Sequence, residues 1–232
     1  MTTAKEIRAE VADIFATRWK SRDGEVVPDS DGVKLGNDAV KIEGTVLYAD
    51  LADSTELVNN YKSHFAAEIY KSYLITACRI IRNHGGEITA FDGDRVMGVY
   101  LGKSKNSSAA HSALNIHWAV DKVINPAIKA QYPDTSFKLK QAVGIDTSQL
   151  LVARTGIRGA NDLVWVGRAA NYAAKLCGVR EGSYATLITE DVFNMLNDAS
   201  KYGGDPRRLM WEKLMWSEMG ISIYGSSWWW EV

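Results

Sequence analysis

The chain has 232 residues, 46% hydrophobic and 24% charged, with a formal net charge of −1. These are ordinary values for a soluble globular protein, and a chain this long buries roughly 70% of its unfolded surface, so folding requires neither disulfides nor a structural metal. The near-zero charge excludes a global basic field for DNA or RNA, and no run of about 18 apolar residues is present to span a membrane. The start, MTTAKEIRAEVADIF, is amphipathic and lacks the apolar core of a signal peptide. Cys78 and Cys177 are the only cysteines, both in apolar helical patterns, which fits free thiols in a reducing compartment. A cytoplasmic protein without a nucleic-acid partner is expected.

Residues 5–20 carry Ile7, Val11, Ile14 and Phe15 on one side of a helix. Residues 21–41, rich in Gly, Asp and Pro, read as a loop or linker. The apolar, β-branched TVLYAD (45–50) predicts a buried strand, after which Asp53 and Ser54 can cap a helix. Helical periodicity runs to His84, with a break near Lys62, and Gly85-Gly86 stops it. A strand over 87–91 and a return strand over 95–101 flank Asp92-Gly93, a two-residue hairpin signal. A long helix over 107–130 follows, then a strand pair at 137–146 and 149–154. A Gly-rich loop spans 155–162, with a short strand over 163–166. A helix over 169–177 and a strand over 184–189 with a short helix after it come next. The last thirty residues hold five of the eight tryptophans and read as terminal strands. The order βαββαβ with additions predicts an α+β protein, a ferredoxin-like sheet with helices on one face.

The chemistry gathers at Asp50 and Asp94. In a βαβ arrangement the first strand and the hairpin lie side by side, which brings both carboxylates to one edge of the sheet. Two like charges so placed repel unless a cation sits between them. Hard oxygen ligands suit magnesium or manganese with a triphosphate, and two such ions ~3.5–4 Å apart clamp an in-line displacement. Beyond Asp50 the sequence LADSTEL opens a helix, whose free first amides, with the Ser54 and Thr55 hydroxyls, offer a phosphate site. The local residues admit a second reading, in which Asp50 and Asp53 cap the helix and Asp92 and Asp94 shape the turn.

Four segments in order carry a resemblance: TVLYADLADST, GGEITAFDGDRVMGVY, VGIDTSQLLVARTG and VGRAANYAAKL. Over roughly residues 43–190 the sequence resembles the class III nucleotidyl cyclases, the adenylate and guanylate cyclase catalytic fold. The resemblance implies an N-terminal helix and linker over 1–40, a catalytic domain over 41–200, and Trp-rich strands over 201–232 that complete it. It implies that Asp50, Asp94 and the Leu51 carbonyl hold two divalent cations, Mn2+ or Mg2+. Asn171 would orient the ribose. Lys175, one helical turn on, would neutralise charge on the α-phosphate where Arg is usual; Lys keeps the charge and loses the planar fork. Because the family faces its Asp pair and its Asn/Arg pair across a subunit boundary, a homodimer with two composite sites is implied.

The departures bear on the substrate. Where purine cyclases place a polar base reader, this sequence has Ala90, and at the second such position Val164. A site that does not hydrogen-bond a base cannot reject its rivals strongly. In this respect, and in LGNDAVKIEGTVLYADLADST, the sequence is similar to the bacterial pyrimidine cyclases of Pycsar anti-phage defence. That similarity implies a nucleoside triphosphate substrate, UTP before CTP, and a cyclic UMP product read by a separate cyclic-nucleotide effector. Cytidylate, adenylate and guanylate cyclases remain alternatives, as does a catalytically inactive cyclase-like domain. Gly85-Gly86-Glu87 is superficially like the diguanylate cyclase signature, but Ile88 and Thr89 stand where an acid and an aromatic belong. His64, His84, His111 and His117 lack metal-ligand spacing and read as surface or packed residues. Arg207, Arg208 and Lys213 are candidates for the terminal phosphates, against a reading as solvated surface charge. Trp228–Trp230 reads as a strand buried on both faces or a dimer contact.

Overall fold

The computed structural model describes residues 2–179 and 184–232. They form two compact units, Met1–Glu43 with Gln149–Gly167, and Gly44–Ser148 with Arg168–Val232. Helix α1 (Ala4–Ala16) opens on a capping box between Thr3 and Glu6. Its apolar stripe has the expected period, yet Ile7, Val11, Ile14 and Phe15 are all exposed. The segment expected as a loop contains β1 (Lys20–Asp23), parallel to the start of β2 (Asp38–Ala52). Strand β1 reads KSRD and is exposed throughout, so it carries no alternation to recognise.

Helices α2 (Ser54–Asn60) and α3 (Ser63–Asn83) follow, broken where expected. Helix α3 buries Phe65, Ile69, Tyr73, Ala77, Ile80 and Ile81 along one face. Strands β3 (Glu87–Asp92) and β4 (Arg95–Tyr100) form the hairpin, but its loop is Gly93-Asp94, one residue later than expected. Gly93 has φ +62°, so the glycine fills the first loop position, as a type II′ turn requires. The second long helix is in three pieces: α4 (Lys105–Ala119), a π turn at Val120–Ile124, and α5 (Asn125–Gln131). Pro126, in the first turn of α5, has no N–H to give, and the widened turn precedes it.

The strand pair expected over 137–154 is one strand, β5 (Lys140–Ile157). No turn forms at Thr147 because the sheet satisfies its side chain. Its hydroxyl donates to the Gly44 carbonyl (3.2 Å) and lies 3.1 Å from the Thr45 hydroxyl, which donates to Asn106 (2.8 Å). Strand β6 (Ala160–Val166) returns along the end of β5. Then come α6 (Arg168–Leu176), β7 (Thr186–Thr189), α7 (Glu190–Asn194) and α8 (Asp198–Lys201). Strands β8 (Tyr202–Gly203) and β9 (Arg208–Leu209) make a small ladder, and β10 (Glu212–Trp216) and β11 (Ile221–Ser226) follow.

In the second unit the strands lie in the order β10-β11-β7-β5-β2-β4-β3. Helices α3 and α4 bury one face, with Leu47, Val143, Ile145 and Ile188 among the sheet residues beneath them. Gly144 alternates with Val143 and Ile145 and therefore points the other way. There it meets α6: a Cβ at 144 would sit 2.1 Å from the Ala173 carbonyl oxygen. The sheet thus carries the expected helices on one face and α6 on the other. Trp228–Trp230 is not a strand. The Asn115 amide donates to the carbonyls of Trp230 (2.9 Å) and Glu231 (3.0 Å), and His117 holds that of Trp228 (3.0 Å). The run is a strap across α4 because helix side chains, rather than a neighbouring strand, take its carbonyls. Among the described residues no helix is long and apolar enough to cross a membrane. Gly144→Ala is expected to push α6 off the sheet and destabilise by ~2 kcal/mol, a fall of roughly 4–8 °C in thermal midpoint by calorimetry.

Candidate active site

The second unit brings Asp50 and Asp94 to one end of the sheet. Strand β2 pairs with β4 from Thr45↔Tyr100 to Ala49↔Val96. The ladder stops one residue short of Asp50 on β2 and of Arg95, the first residue of β4, which directly follows Asp94. Asp94 is itself the second loop residue of the β3–β4 hairpin, so the turn positions it directly. After Ala52 the chain reverses at Asp53, whose left-handed backbone (φ 62°, ψ 29°) is the only positive φ among the described non-glycine residues. Asp tolerates that region better than most residues. Asp53 does not cap α2 with its side chain. Its carbonyl instead takes the Glu56 and Leu57 amides, which leaves those of Ser54 and Thr55 as the first-turn donors.

Two tyrosines of α3 stand near the two acids. The Tyr73 hydroxyl donates to the Asp50 carbonyl at 3.0 Å. Burial pushes its phenol well up, and Cys177, Asp50 and Asp94 add to the shift. Tyr70 is raised by burial and by Asp94, against a hydrogen bond from Ser54, with Asp50 adding to the rise. Both phenols therefore feel both carboxylates. The Arg95 guanidinium lies 5.4 Å from the centre of the Tyr48 ring and is held by Asp92. Asp94 Oδ2 is buried and has no hydrogen-bond partner. An ionised oxygen left so is costly unless a cation meets it. The donor set at this end, two carboxylates and backbone oxygen, suits a hard divalent ion. The residues present fit such an ion. No cluster of three or more His, Cys, Asp or Glu is found among the described residues, so the candidate centre rests on two carboxylates alone.

Helix α6 carries Asn171 and Lys175, both exposed and one turn apart. The Lys175 ammonium pairs with Glu218 at 3.4 Å. The helix is fixed at its start by a polar cluster. Arg168 grips Asp146 through two hydrogen bonds (3.0 and 3.2 Å) and reaches Asp191 (2.6 Å). The Ser148 hydroxyl accepts the Ala169 amide (3.0 Å) and so caps this helix. Burial pushes the Asp146 carboxyl up, against its bonds from Thr189 and Arg168. Ala90 is half-buried on β3 opposite Met97, and Val164 lies on β6 opposite Ala153. Thr55 is exposed.

The remaining candidates have local partners. Arg207 pairs with Asp198 (3.1 Å), Lys213 with Glu190 (2.7 Å), and Arg208 stacks over Trp228. His84 bonds Asn115 (2.6 Å) and packs edge-on against His111. Sequence reasoning missed Tyr70 and Tyr73. Their three-residue spacing shows only that they share the apolar side of α3, where a core role is the natural reading.

No family model matches the sequence. In the curated proteins, the chain is 51% identical to a uridylate cyclase from Xanthomonas perforans, over 95% of this chain and 94% of that one. It is 48% identical to a uridylate cyclase from Burkholderia cepacia, over the full length of both. In solved structures, the adenylyl cyclase CyaB from P. aeruginosa overlays with a TM-score of 0.68 at 21% identity, covering 81% of this chain and 95% of that one. The guanylyl cyclase Cya2 gives 0.67 at 16% identity, covering 82% and 94%. The fold is that of the class III cyclases. Within it, the chain belongs to the uridylate cyclase family, a family of nucleotide cyclases. Arg168→Ala is expected to strand the fully buried Asp146 carboxylate and destabilise by ~3–5 kcal/mol, read by chemical denaturation.

Proposed function

We propose that this protein cyclises UTP to 3′,5′-cyclic UMP and pyrophosphate at a site completed by a second copy of the chain. The observation that carries the chemistry is Asp94 Oδ2, buried and unpartnered on the turn beside the end of β2. Its relatives' names carry the substrate. Asp50, Asp94 and the Leu51 carbonyl would hold two divalent cations, Mn2+ or Mg2+, which when bound would supply charge neutralisation and acidify the ribose 3′-hydroxyl. The O3′–Pα bond forms as the bond from Pα to the β-phosphate oxygen breaks, and the hydroxyl proton leaves to solvent.

The chain's own residues position this exchange. The first amides of α2, with Ser54 and Thr55, bind phosphate oxygens. Tyr73 steadies the Asp50 backbone, so the ligand end of β2 is rigid before substrate arrives. Asn171 of the second copy orients the ribose, and its Lys175 offsets charge on the α-phosphate. Lys175 pairs with exposed Glu218 at the edge of hydrogen-bonding distance. Such a pair is weak and is readily exchanged for a phosphate. Ala90 and Val164 leave the base without the polar readers of purine cyclases, which supports a pyrimidine substrate. A cytoplasmic site of action, with the cyclic nucleotide passed to a separate effector in anti-phage defence, completes the proposal. A second reading, nucleotide binding without turnover, is favoured by one fold neighbour described as a class III adenylyl cyclase-like ATP-binding protein (TM-score 0.66).

Mass spectrometry of products from an equal mixture of the four nucleoside triphosphates with Mn2+ is expected to find cyclic UMP as the main product. If no nucleotide yields pyrophosphate, the protein is a binder. Asp94→Ala and Lys175→Ala homodimers are each expected to be inactive with the fold intact. An equal mixture of the two, unfolded and refolded together, should recover about a quarter of wild-type activity, because half the dimers carry one intact site of two. No recovery would place the whole site within one chain. Ala90→Lys with Val164→Asp is expected to raise turnover of a purine triphosphate relative to UTP, measured as a kcat/KM ratio. A wild type that already prefers ATP would remove the base-reading argument.

A further inference from the structure

Helix α1 is well formed and packs on nothing. Its capping box closes the first turn, and at the other end the Asn37 amide donates to the carbonyls of Ile14 (2.8 Å) and Thr17 (2.6 Å). Yet none of its 13 residues is buried. Ile7, Val11 and Ile14 are each about half exposed, and Phe15 is 87% exposed. A helix this short is marginal in water unless it packs an apolar face. Large apolar side chains in one stripe form a patch, which unlike a scattered exposed residue calls for a partner.

The stripe has the spacing of a helix seam. Ala4, Ile7, Val11 and Ile14 recur at intervals of three and four residues, the a and d positions of two heptads. What lies beside the seam decides the partner. Arg8 and Phe15 form one flank, and Thr3, Glu10 and Thr17 form the other. Neither Arg8 nor Glu10 makes an ion pair among the described residues. A second α1 running parallel about a two-fold axis sets the Arg8 flank of each helix against the Glu10 flank of the other. An antiparallel copy would set Arg8 beside Arg8 and Glu10 beside Glu10, like charges across the seam. A lipid surface suits the helix less. Ala4–Ala16 carries Lys5 and Arg8 against Glu6, Glu10 and Asp13, so it offers no basic excess to anionic headgroups.

We infer that α1 is a dimer contact, its apolar seam laid in parallel against α1 of a second copy. Two heptads are too few to hold two chains by themselves. The pairing therefore rests on the second copy of the proposed active site and adds to contacts made elsewhere, which raise the local concentration of one helix for the other. Phe15 widens the seam on the Arg8 side.

Analytical ultracentrifugation and cysteine crosslinking of the full chain test this, and neither depends on activity. Wild type is expected to be a dimer at micromolar concentration. Ile7→Cys and Ile14→Cys are each expected to form a same-residue disulfide dimer under mild oxidation. Wild type and Ala9→Cys, on the outer side of the helix, should form none. Val11→Asp, at an exposed position outside the core, should weaken the dimer roughly tenfold or more, since pairing would bury an unpaired charge. Glu10→Arg should weaken it as well, and Arg8→Glu added to Glu10→Arg should restore it, a rescue that a role within one chain would not give. The inference fails if wild type is a dimer and neither cysteine crosslinks, if disulfides form only between Ile7→Cys and Ile14→Cys chains in a mixture, or if Val11→Asp leaves the dimer unchanged. The composite site is decided separately, by recovery of activity in the mixture of Asp94→Ala and Lys175→Ala chains. A monomeric wild type overturns both readings. If Val11→Asp dimerises as wild type does but loses binding to phosphatidylserine vesicles, the stripe serves a lipid surface and the pairing is wrong.

Discussion

The ladder between β2 and β4 is the constraint on which the rest depends. It fixes which residues of β2 end beside the β3–β4 turn, and so which carboxylates stand at that end of the sheet. The pairing from Thr45 to Ala49 is almost wholly buried, and a slip of one residue would turn each side chain to the wrong face. The register is therefore held by the core, and the acids at its end inherit that precision. Helix α3 contributes to both functions. Its apolar residues cover the sheet, and Tyr70 and Tyr73 carry the covering up to the carboxylates. A buried phenol has little tendency to ionise, so Tyr73 serves Asp50 as a donor without adding a third negative charge.

Much of this was legible in the sequence because local and tertiary signals agree. TVLYAD is apolar and β-branched in a place where the fold needs a buried strand. The helix of α3 and the hairpin around Gly93 follow from spacing and from turn chemistry. The pairing of Asp50 with Asp94 was legible only as a possibility, since Asp is also common at caps and turns. What was hidden has physical reasons. Strand β1 is polar and exposed, so its pairing leaves no pattern. Thr147 and Ser148 read as a turn but are consumed by partners distant in sequence, Gly44 and Ala169. Three consecutive tryptophans read as a strand, whereas Asn115 and His117 on α4 decide their conformation. Gly144 gave no sign that α6 would sit on it.

Acid and cation are kept on different elements. The β2 end and the hairpin hold the negative charge, and α6 presents Asn171 and Lys175 to solvent. The polar cluster of Arg168, Asp146 and Ser148 fixes α6 at its start, and the Gly144 contact fixes it against the sheet. Ser148 has an evident structural use as a cap. Ala90 on β3 and Val164 on β6 carry no polar side-chain atom.

Asp53 bears on sequence drift. Its left-handed backbone joins the strand of Asp50 to α2 in a single residue. Only glycine, asparagine and aspartate enter that region readily, and a β-branched residue would distort the junction and move Asp50 with it. Position 53 is therefore confined by backbone geometry, whatever its carboxylate does. A comparison across the family at this position would mix two pressures, the shape of a turn and the chemistry of a site, and an Asp-to-Gly exchange there would separate them.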